Sequence, residues 1–168
     1  KQFSVTELTY IYRQSEDSLI TSNAHLINNG QIPVINNKSK DFFFYETEGQ
    51  AILDNITEMC LQRIPGFLKT TSSKIQVLSA MKAGLCGTDN INKMLQDSIN
   101  PPSIKKPEIV TDKIIYRVGD RVMQISNNYE RNWVKGTEAG SGVFNGDVGI
   151  IKHIDINVLE MEIEFEDG

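Results

Sequence analysis

The sequence predicts an α/β fold that is followed by a short β-rich region. Up to Pro102, apolar β-prone runs alternate with segments whose apolar residues recur at helical spacing. After Pro102 the helical spacing ends, and short β segments follow at 114–117, 121–126, 148–154 and 158–165. Strands that alternate with helices are typical of an open parallel sheet, so the architecture is expected to change near Pro102.

The first helix is predicted to follow an apolar run that ends at Tyr12. Ser15 is a suitable N-cap, and the two acidic residues after it favour the positive end of the helix dipole. Apolar residues then recur at helical spacing: Leu19, Ile20, Ala24 and Ile27. Asn29 and Gly30 predict a left-handed stop.

The same rules predict four more elements before Pro102. The aromatic run DFFFYE at 41–46 indicates a buried strand, and a helix over 48–64 is expected to end at Pro65-Gly66. The run KIQVLSAM at 74–81 is typical of a parallel strand. A third helix is expected over 87–102, capped by Thr88 or Asp89, with three residues facing inward: Ile91, Leu95 and Ile99.

The β-rich region contains one strictly alternating segment and one long polar segment. In VLEMEIEFED, apolar residues alternate with glutamates, which predicts a half-buried strand with an acidic face that repels nucleic acid. Residues 127–147 are polar and contain four glycines, which predicts a long loop that is functional or mobile. Within it, Asn145-Gly146 is typical of a turn.

The composition indicates a globular protein, with 39% hydrophobic and 23% charged residues among 168. The sequence contains no apolar run long enough to cross a bilayer and no signal peptide, so no membrane partner is expected. Cys60 and Cys86 indicate free thiols in a reducing compartment, for which the cytoplasm is the simplest interpretation. Lys1 at the start and Gly168 at the end suggest a fragment of a longer chain.

The residues lack the motifs of a complete enzyme. There is no GxxxxGK[ST] loop for a triphosphate, no spacing typical of metal ligands, and no nucleophile–base arrangement. Polar residues do follow the predicted strands, and ligands lie at such strand ends in open α/β sheets. Arg13 is one of these residues. Its planar, permanently charged guanidinium suits a γ-phosphate that another domain delivers.

Several segments together resemble one known family. The stretch LTYIYRQSEDSLITSNAHLINNGQIP is similar to motif IV and the following helix of RecD-like superfamily 1 helicases. The segments NKSKDFFFYE, IQVLSAMKAGLCGTDNINKMLQDSINPP, YRVGDRVMQISNNYE and VFNGDVGII continue the resemblance in the same order. The family includes the alpha subunit of bacterial exodeoxyribonuclease V and its stand-alone relatives.

This resemblance implies a domain organisation. Residues 1–126 would form most of a RecA-like second motor domain, 2A, of the P-loop NTPase type with a parallel sheet. Residues 127–147 would connect it to the truncated start, 148–168, of a small Src-homology-three-type barrel, 2B. The first motor domain would supply most of the contacts to ATP and Mg²⁺, and the parent would be a bacterial cytoplasmic helicase that moves 5′ to 3′ on single-stranded DNA.

The resemblance also implies roles for particular residues. Arg13 would be the catalytic motif IV arginine that reaches the γ-phosphate, and Gln14 would support it at the nucleotide. Contacts to single-stranded DNA would come from five residues: Met81, Lys82, Asn127, Asn128 and Asn145. Nuclease and helicase subunits of an exodeoxyribonuclease complex are further possible partners.

A non-enzymatic binding module is the alternative interpretation. Residues 104–135 carry a net charge of +3, whereas residues 1–103 carry −1 and residues 136–168 carry −7. Three aromatic residues are interleaved with the positive charges: Tyr116, Tyr129 and Trp133. Bases stack on aromatic rings while lysine and arginine meet phosphate, so this stretch could bind nucleic acid without a motor.

Overall fold

A computed structural model describes Ser4, Thr6 and residues 18–112 and 114–165 of the chain. The chain divides into two compact units, residues 1–48 and residues 49–168. Among the helices of the described ranges, none is long and apolar enough to cross a membrane.

In the first unit, helix α1 comprises Leu19–Asn28. The N-cap is Ser18 rather than the expected Ser15, which lies outside the described residues. Ser18 is the last residue with extended backbone, at φ −70° and ψ 125°, and its Oγ accepts the N–H of Ile20 at 3.2 Å. The cap therefore satisfies one of the amides that a helix start leaves without a partner.

The end of α1 confirms the predicted glycine stop. Gly30 has φ +70°, and its N–H donates to the carbonyl of Ile27 at 3.0 Å. The N–H of Gln31 donates to the carbonyl of Leu26 at 2.8 Å. These two bonds form a Schellman motif, which requires the left-handed conformation that glycine adopts without strain.

In this unit, two asparagine side chains each bond both backbone groups of a residue farther along the chain. The buried Asn23 bonds both backbone groups of Val34: its Nδ2 donates at 3.0 Å and its Oδ1 accepts at 2.8 Å. Asn37 pairs in the same way with Phe44, at 2.8 and 2.6 Å. The predicted strand at 41–46 has no strand pairing with other described residues.

The second unit begins with a helix that a π turn interrupts. Its three parts are α2 (Ala51–Glu58), the π turn (Met59–Arg63) and α3 (Ile64–Leu68). The expected end at Pro65-Gly66 is wrong, since the helix continues until Lys69 adopts φ +52°. In the π turn the N–H of Ile64 donates to the carbonyl of Met59, five residues back. This wider turn accommodates a proline ring that would clash inside a regular α-helix.

Helix α4 comprises Thr88–Ile99, and its N-cap is Gly87. Neither predicted side chain caps it, because backbone carbonyls of the preceding loop accept the amides of Thr88 and Asp89 at 2.9 and 3.1 Å. Ile91 is buried as expected, but Ile99 is 45% exposed. The following residue, Asn100, takes the buried position instead.

In the described ranges after α4, seven strands form three antiparallel sheets. They are β1 (Glu108–Val110), β2 (Ile115–Arg117), β3 (Arg121–Met123), β4 (Asn128–Lys135), β5 (Glu138–Val143), β6 (Val148–Asp155) and β7 (Glu160–Phe165). The sheets have the strand orders β1-β2, β3-β6-β7 and β4-β5. The four predicted β segments correspond to β2, β3, β6 and β7.

The described part of the chain contains no parallel strand pairing. Residues 74–81, predicted as a parallel strand, have no sheet partner there, and Leu78 is 88% exposed. The backbone groups of a strand pair with a neighbouring strand, and the parallel pairing expected for this run stays a prediction. The mixture of helices and small antiparallel sheets is consistent with an SH3-like β domain.

Strand β6 carries the centre of the β region. Ile151 is fully buried and Ile154 is 3% exposed. On β7, apolar residues are half-buried while glutamates are exposed, as the alternation predicted. Leu159, expected on the apolar face, lies instead in the preceding turn with φ +56° and is 68% exposed.

Candidate nucleic-acid interface

Residues 127–147 form a β-hairpin rather than the long polar loop expected. Strands β4 and β5 pair antiparallel and are joined by Gly136 and Thr137. Gly136 has φ +60° at the first central position, as in a type II′ turn. Every residue of β4 is exposed, whereas β5 ends in the buried Gly142 and Val143, so the hairpin is open to solvent along β4.

A β-bulge interrupts the hairpin near its base. The register changes from Asn128↔Val143 to Asn132↔Ser141, so residues 129–131 on β4 lie opposite one residue, Gly142, on β5. Bulges redirect side chains and are frequent beside functional sites. Tyr129 is the first residue of this bulge.

Four residues meet at this point, which we call the hairpin base: Asn127, Tyr129, Phe144 and Asn145. Asn127 Oδ1 accepts the backbone N–H of Asn145 at 2.9 Å, and Asn127 Nδ2 donates to the hydroxyl of Tyr129 at 3.1 Å. The rings of Tyr129 and Phe144 pack edge to face, with centroids 5.8 Å apart and planes at 73°. The fold thus brings together two predicted DNA-binding asparagines that are 18 positions apart.

The turn that carries Asn145 is held on both sides. Phe144 accepts from the N–H of Asp147 at 3.0 Å, and Gly146 has φ +99°, which corresponds to a type II turn. Gln124, after β3, bonds Gly146 and Asp147 at 2.8 Å each. The predicted turn at Asn145-Gly146 is confirmed, with glycine at the position that requires positive φ.

The third predicted asparagine, Asn128, lies at the start of β4, opposite Val143. Its Oδ1 accepts the N–H of Glu130 at 3.2 Å, inside the bulge. This contact is local, so Asn128 supports the bend of the strand next to the hairpin base.

Met81 and Lys82 lie in the loop that caps α4. Their backbone carbonyls accept the first helix amides, while their side chains are exposed. Ser79 Oγ tightens the loop by donating to the carbonyl of Cys86 at 2.5 Å. Gly87 is required here, because a Cβ would lie 2.5 Å from the carbonyl oxygen of Lys82. No hydrogen bond in the described ranges links this loop to the hairpin base.

Arg13 and Gln14, the predicted nucleotide-contacting residues, lie outside the described residues. Their roles therefore remain predictions.

A buried polar cluster that sequence reasoning missed joins α4 to the β region. Asn100 Nδ2 donates to the carbonyl of Val118 at 3.1 Å and to Asp120 Oδ1 at 2.7 Å. The guanidinium of Arg117, only 2% exposed, donates to the carbonyl of Asn100 and to Glu108 Oε1, the latter at 2.5 Å. The sequence signal for this cluster was RVGD at 117–120. A charged residue stands on each side of a glycine turn there, and such side chains can form hydrogen bonds toward the interior.

This cluster also connects to β6. The backbone of Asp120 accepts the N–H of Ile151 at 2.9 Å, and Gly119 donates to the carbonyl of Ile151 at 2.8 Å. Gln96 of α4 donates to Asp120 Oδ2 at 2.5 Å. The C-terminal end of α4 and the β3-β6-β7 sheet are therefore tied through one buried turn.

Burial and hydrogen bonds shift the pKa values of several groups in the described ranges. Burial raises the pKa of the Cys60 thiol, which makes it less reactive. Hydrogen bonds from Ser18 and Ser39 lower the pKa of Asp41, and the backbone N–H of Asn157 lowers that of Asp155. Within the described ranges, no three histidine, cysteine, aspartate or glutamate side chains are grouped so that they could hold a metal ion.

The small antiparallel sheets agree with the class of protein that a family comparison gives. Residues 91–165 match the family model described as the ATP-dependent RecD-like DNA helicase SH3 domain. This range contains β1–β7, the hairpin base and most of α4.

A particular relative extends the comparison toward the start of the chain. The chain is 27% identical over 149 residues to the ATP-dependent RecD2 DNA helicase of Deinococcus radiodurans. The alignment covers 86% of this chain and 17% of that protein, so the chain spans about a sixth of the length of its relative. The two comparisons together support a relationship to RecD-like helicases.

Proposed function

We propose that this chain is part of an ATP-dependent RecD-like DNA helicase that translocates 5′ to 3′ on single-stranded DNA during recombination and repair. Within that protein it supplies part of the second motor domain, the beginning of the small barrel, and part of the DNA-binding surface. The observation that carries the proposal is the match of residues 91–165 to the SH3 domain model of these helicases.

The geometry of the second unit supports a role in DNA contact. The hairpin base presents amide and aromatic groups to solvent, and the loop before α4 presents Met81 and Lys82. Both sites are built on backbone that hydrogen bonds hold in place, so their side chains are oriented before a ligand arrives. Asn127, Asn128 and Asn145 belong to this surface in the proposal.

A RecA-like parallel sheet is part of the proposal for residues 1–126. The exposed apolar residues of the run at 74–81, such as Leu78, support it, because such a run suits the interior of a sheet with further strands. ATP and Mg²⁺ are assigned mainly to the first motor domain of the parent. Arg13, supported by Gln14, reaches the γ-phosphate from this side and stabilises its negative charge during hydrolysis.

Replacement of Arg13 tests the motor assignment. In the full-length protein, Arg13→Ala is expected to reduce DNA-stimulated ATP hydrolysis by on the order of 10³-fold, as for other arginine fingers. Lys40→Ala, at an exposed lysine of the same unit, is the matched control. Hydrolysis close to wild type in the Arg13 variant contradicts the assigned role.

The second candidate function is a nucleic-acid-binding module without motor activity. The exposed aromatic residues of β4, Tyr129 and Trp133, favour it. Titration of this chain with labelled single strands at two salt concentrations separates the candidates. Tight, salt-sensitive binding without ATP supports the module, whereas weak binding supports half of a motor whose DNA site requires both halves.

The partners follow from the proposed parent. They are single-stranded DNA, the first motor domain of the same chain and, if the parent acts like the exodeoxyribonuclease V alpha subunit, nuclease and helicase subunits of that complex. The bacterial cytoplasm is the proposed location.

A further inference from the structure

We propose that Tyr129 and Phe144 form a stacking platform for one unpaired base of a single-stranded nucleic acid. The inference rests on the proposed function and deepens it, because it assigns the contact to the two rings rather than to the asparagines around them. Asn127 is then a positioning residue.

Three features of the backbone and side chains hold the two rings in place. Tyr129 lies in the bulge at 129–131 and packs against Phe144, and Asn127 Nδ2 donates to the Tyr129 hydroxyl at 3.1 Å. On the other strand, Gly142 has φ +105°, and a Cβ there would lie 3.0 Å from Phe144 Cζ. The Phe144 ring therefore lies over a residue that has no side chain.

The rings make contacts that orient them and are also accessible to solvent. Tyr129 is 66% exposed and Phe144 is 46% exposed. In an edge-to-face pair, the edge of one ring contacts the face of the other. The ring that contributes its edge therefore has neither face covered by the other ring. Exposed aromatic rings with fixed orientation lose little entropy on binding, which makes this pair suitable for a flat ligand.

An unpaired nucleobase fits this platform better than a protein side chain. A base presents a broad π face, and stacking on aromatic residues tolerates any base sequence. The amides of Asn127 and Asn145 lie beside the rings, and the bulge that carries Tyr129 also carries the exposed Glu130 and Arg131, so donors for base edges and phosphate are present. The bases of a duplex are covered by their neighbours, so the platform selects single strands.

The experiment uses the full-length protein and fluorescence anisotropy with labelled oligothymidylate, without ATP. We expect Tyr129→Leu and Phe144→Leu each to weaken binding by on the order of tenfold, the effect of losing one stacked base. Tyr129→Phe keeps the ring but loses the bond from Asn127, so it is expected to weaken binding less than Tyr129→Leu does. Phe67→Leu, at another exposed aromatic residue, is the matched control, and circular dichroism checks that each variant is folded.

A second probe separates stacking from phosphate contact. An abasic oligonucleotide keeps the phosphates and lacks the bases, so wild type is expected to bind it about tenfold more weakly than oligothymidylate. Tyr129→Leu is then expected to bind both probes equally. Equal losses for both probes, or wild-type binding by both leucine variants, overturn the platform while leaving the proposed function intact. If wild type binds no single strand at all, the proposed function itself fails.

Discussion

Removal of the Asn100 side chain is expected to destabilise the second unit strongly. Asn100 is 7% exposed, and its Nδ2 donates to the carbonyl of Val118 and to the carboxylate of Asp120. Its Oδ1 accepts from the ammonium of Lys106. Asn100→Ala deletes all three bonds without supplying new partners.

The magnitude follows from the groups left without a partner. The carbonyl of Val118 and one carboxylate oxygen of Asp120 lose a donor. Each unsatisfied buried group costs about 1–3 kcal/mol, so the free energy of unfolding is expected to fall by about 2–4 kcal/mol. Asp120 keeps the donors on its other oxygen, from Gln96 and from the N–H of Arg117, which limits the loss.

Urea unfolding followed by the fluorescence of Trp133 measures this change. Trp133 is the single tryptophan of the chain and lies in the same unit as Asn100. Asn92→Ala, at an exposed position of α4, is the control and is expected to change stability by less than about 0.5 kcal/mol. If Asn100→Ala costs no more than this control, the buried cluster does not hold α4 to the β region.

Two further predictions test local features. Gly142→Ala is expected to lower the free energy of unfolding by about 1–3 kcal/mol, because φ +105° strains an L-residue and the new Cβ meets the Phe144 ring. Gly66→Ala, at an open helical position, is the control and should cost nothing in the same urea assay. The pKa of Asp41 in the folded protein is lowered, chiefly by Ser18, so its contribution to stability is present above about pH 3.9 and is lost as pH falls through the folded-state value. An NMR titration of the Asp41 carboxyl should give a pKa below the ordinary one that rises in Ser18→Ala; no change in that variant contradicts the assigned cause.

The helices were largely predictable because their signals are local. Apolar spacing and the Gly30 stop predicted α1, and similar spacing predicted α2 and α4. The errors lie at the ends of the helices. Ser18 rather than Ser15 caps α1. The helix that begins with α2 passes through Pro65 because a π turn accommodates the proline ring. Caps and helix ends depend on which backbone groups find partners, and spacing alone does not determine this.

The candidate site was predictable only in its components. Asn127 and Asn145 were singled out through a family resemblance, and Asn145-Gly146 through its turn chemistry. The hairpin was missed because β4 is exposed on both faces and has no periodic burial pattern. The ring pair was missed because Tyr129 and Phe144 are 15 positions apart in the sequence and meet only through a bulge.

Local signals in the chain were sufficient for most of each helix, for the alternating strand β7 and for the turns at Gly30 and Gly146, since neighbours along the backbone carry those preferences. Contacts between distant residues determined the rest. Asn100 became buried because Val118 and Asp120 return to it, and the run at 74–81 has no sheet partner among the described residues. Backbone groups must be paired, and only the folded arrangement determines with what.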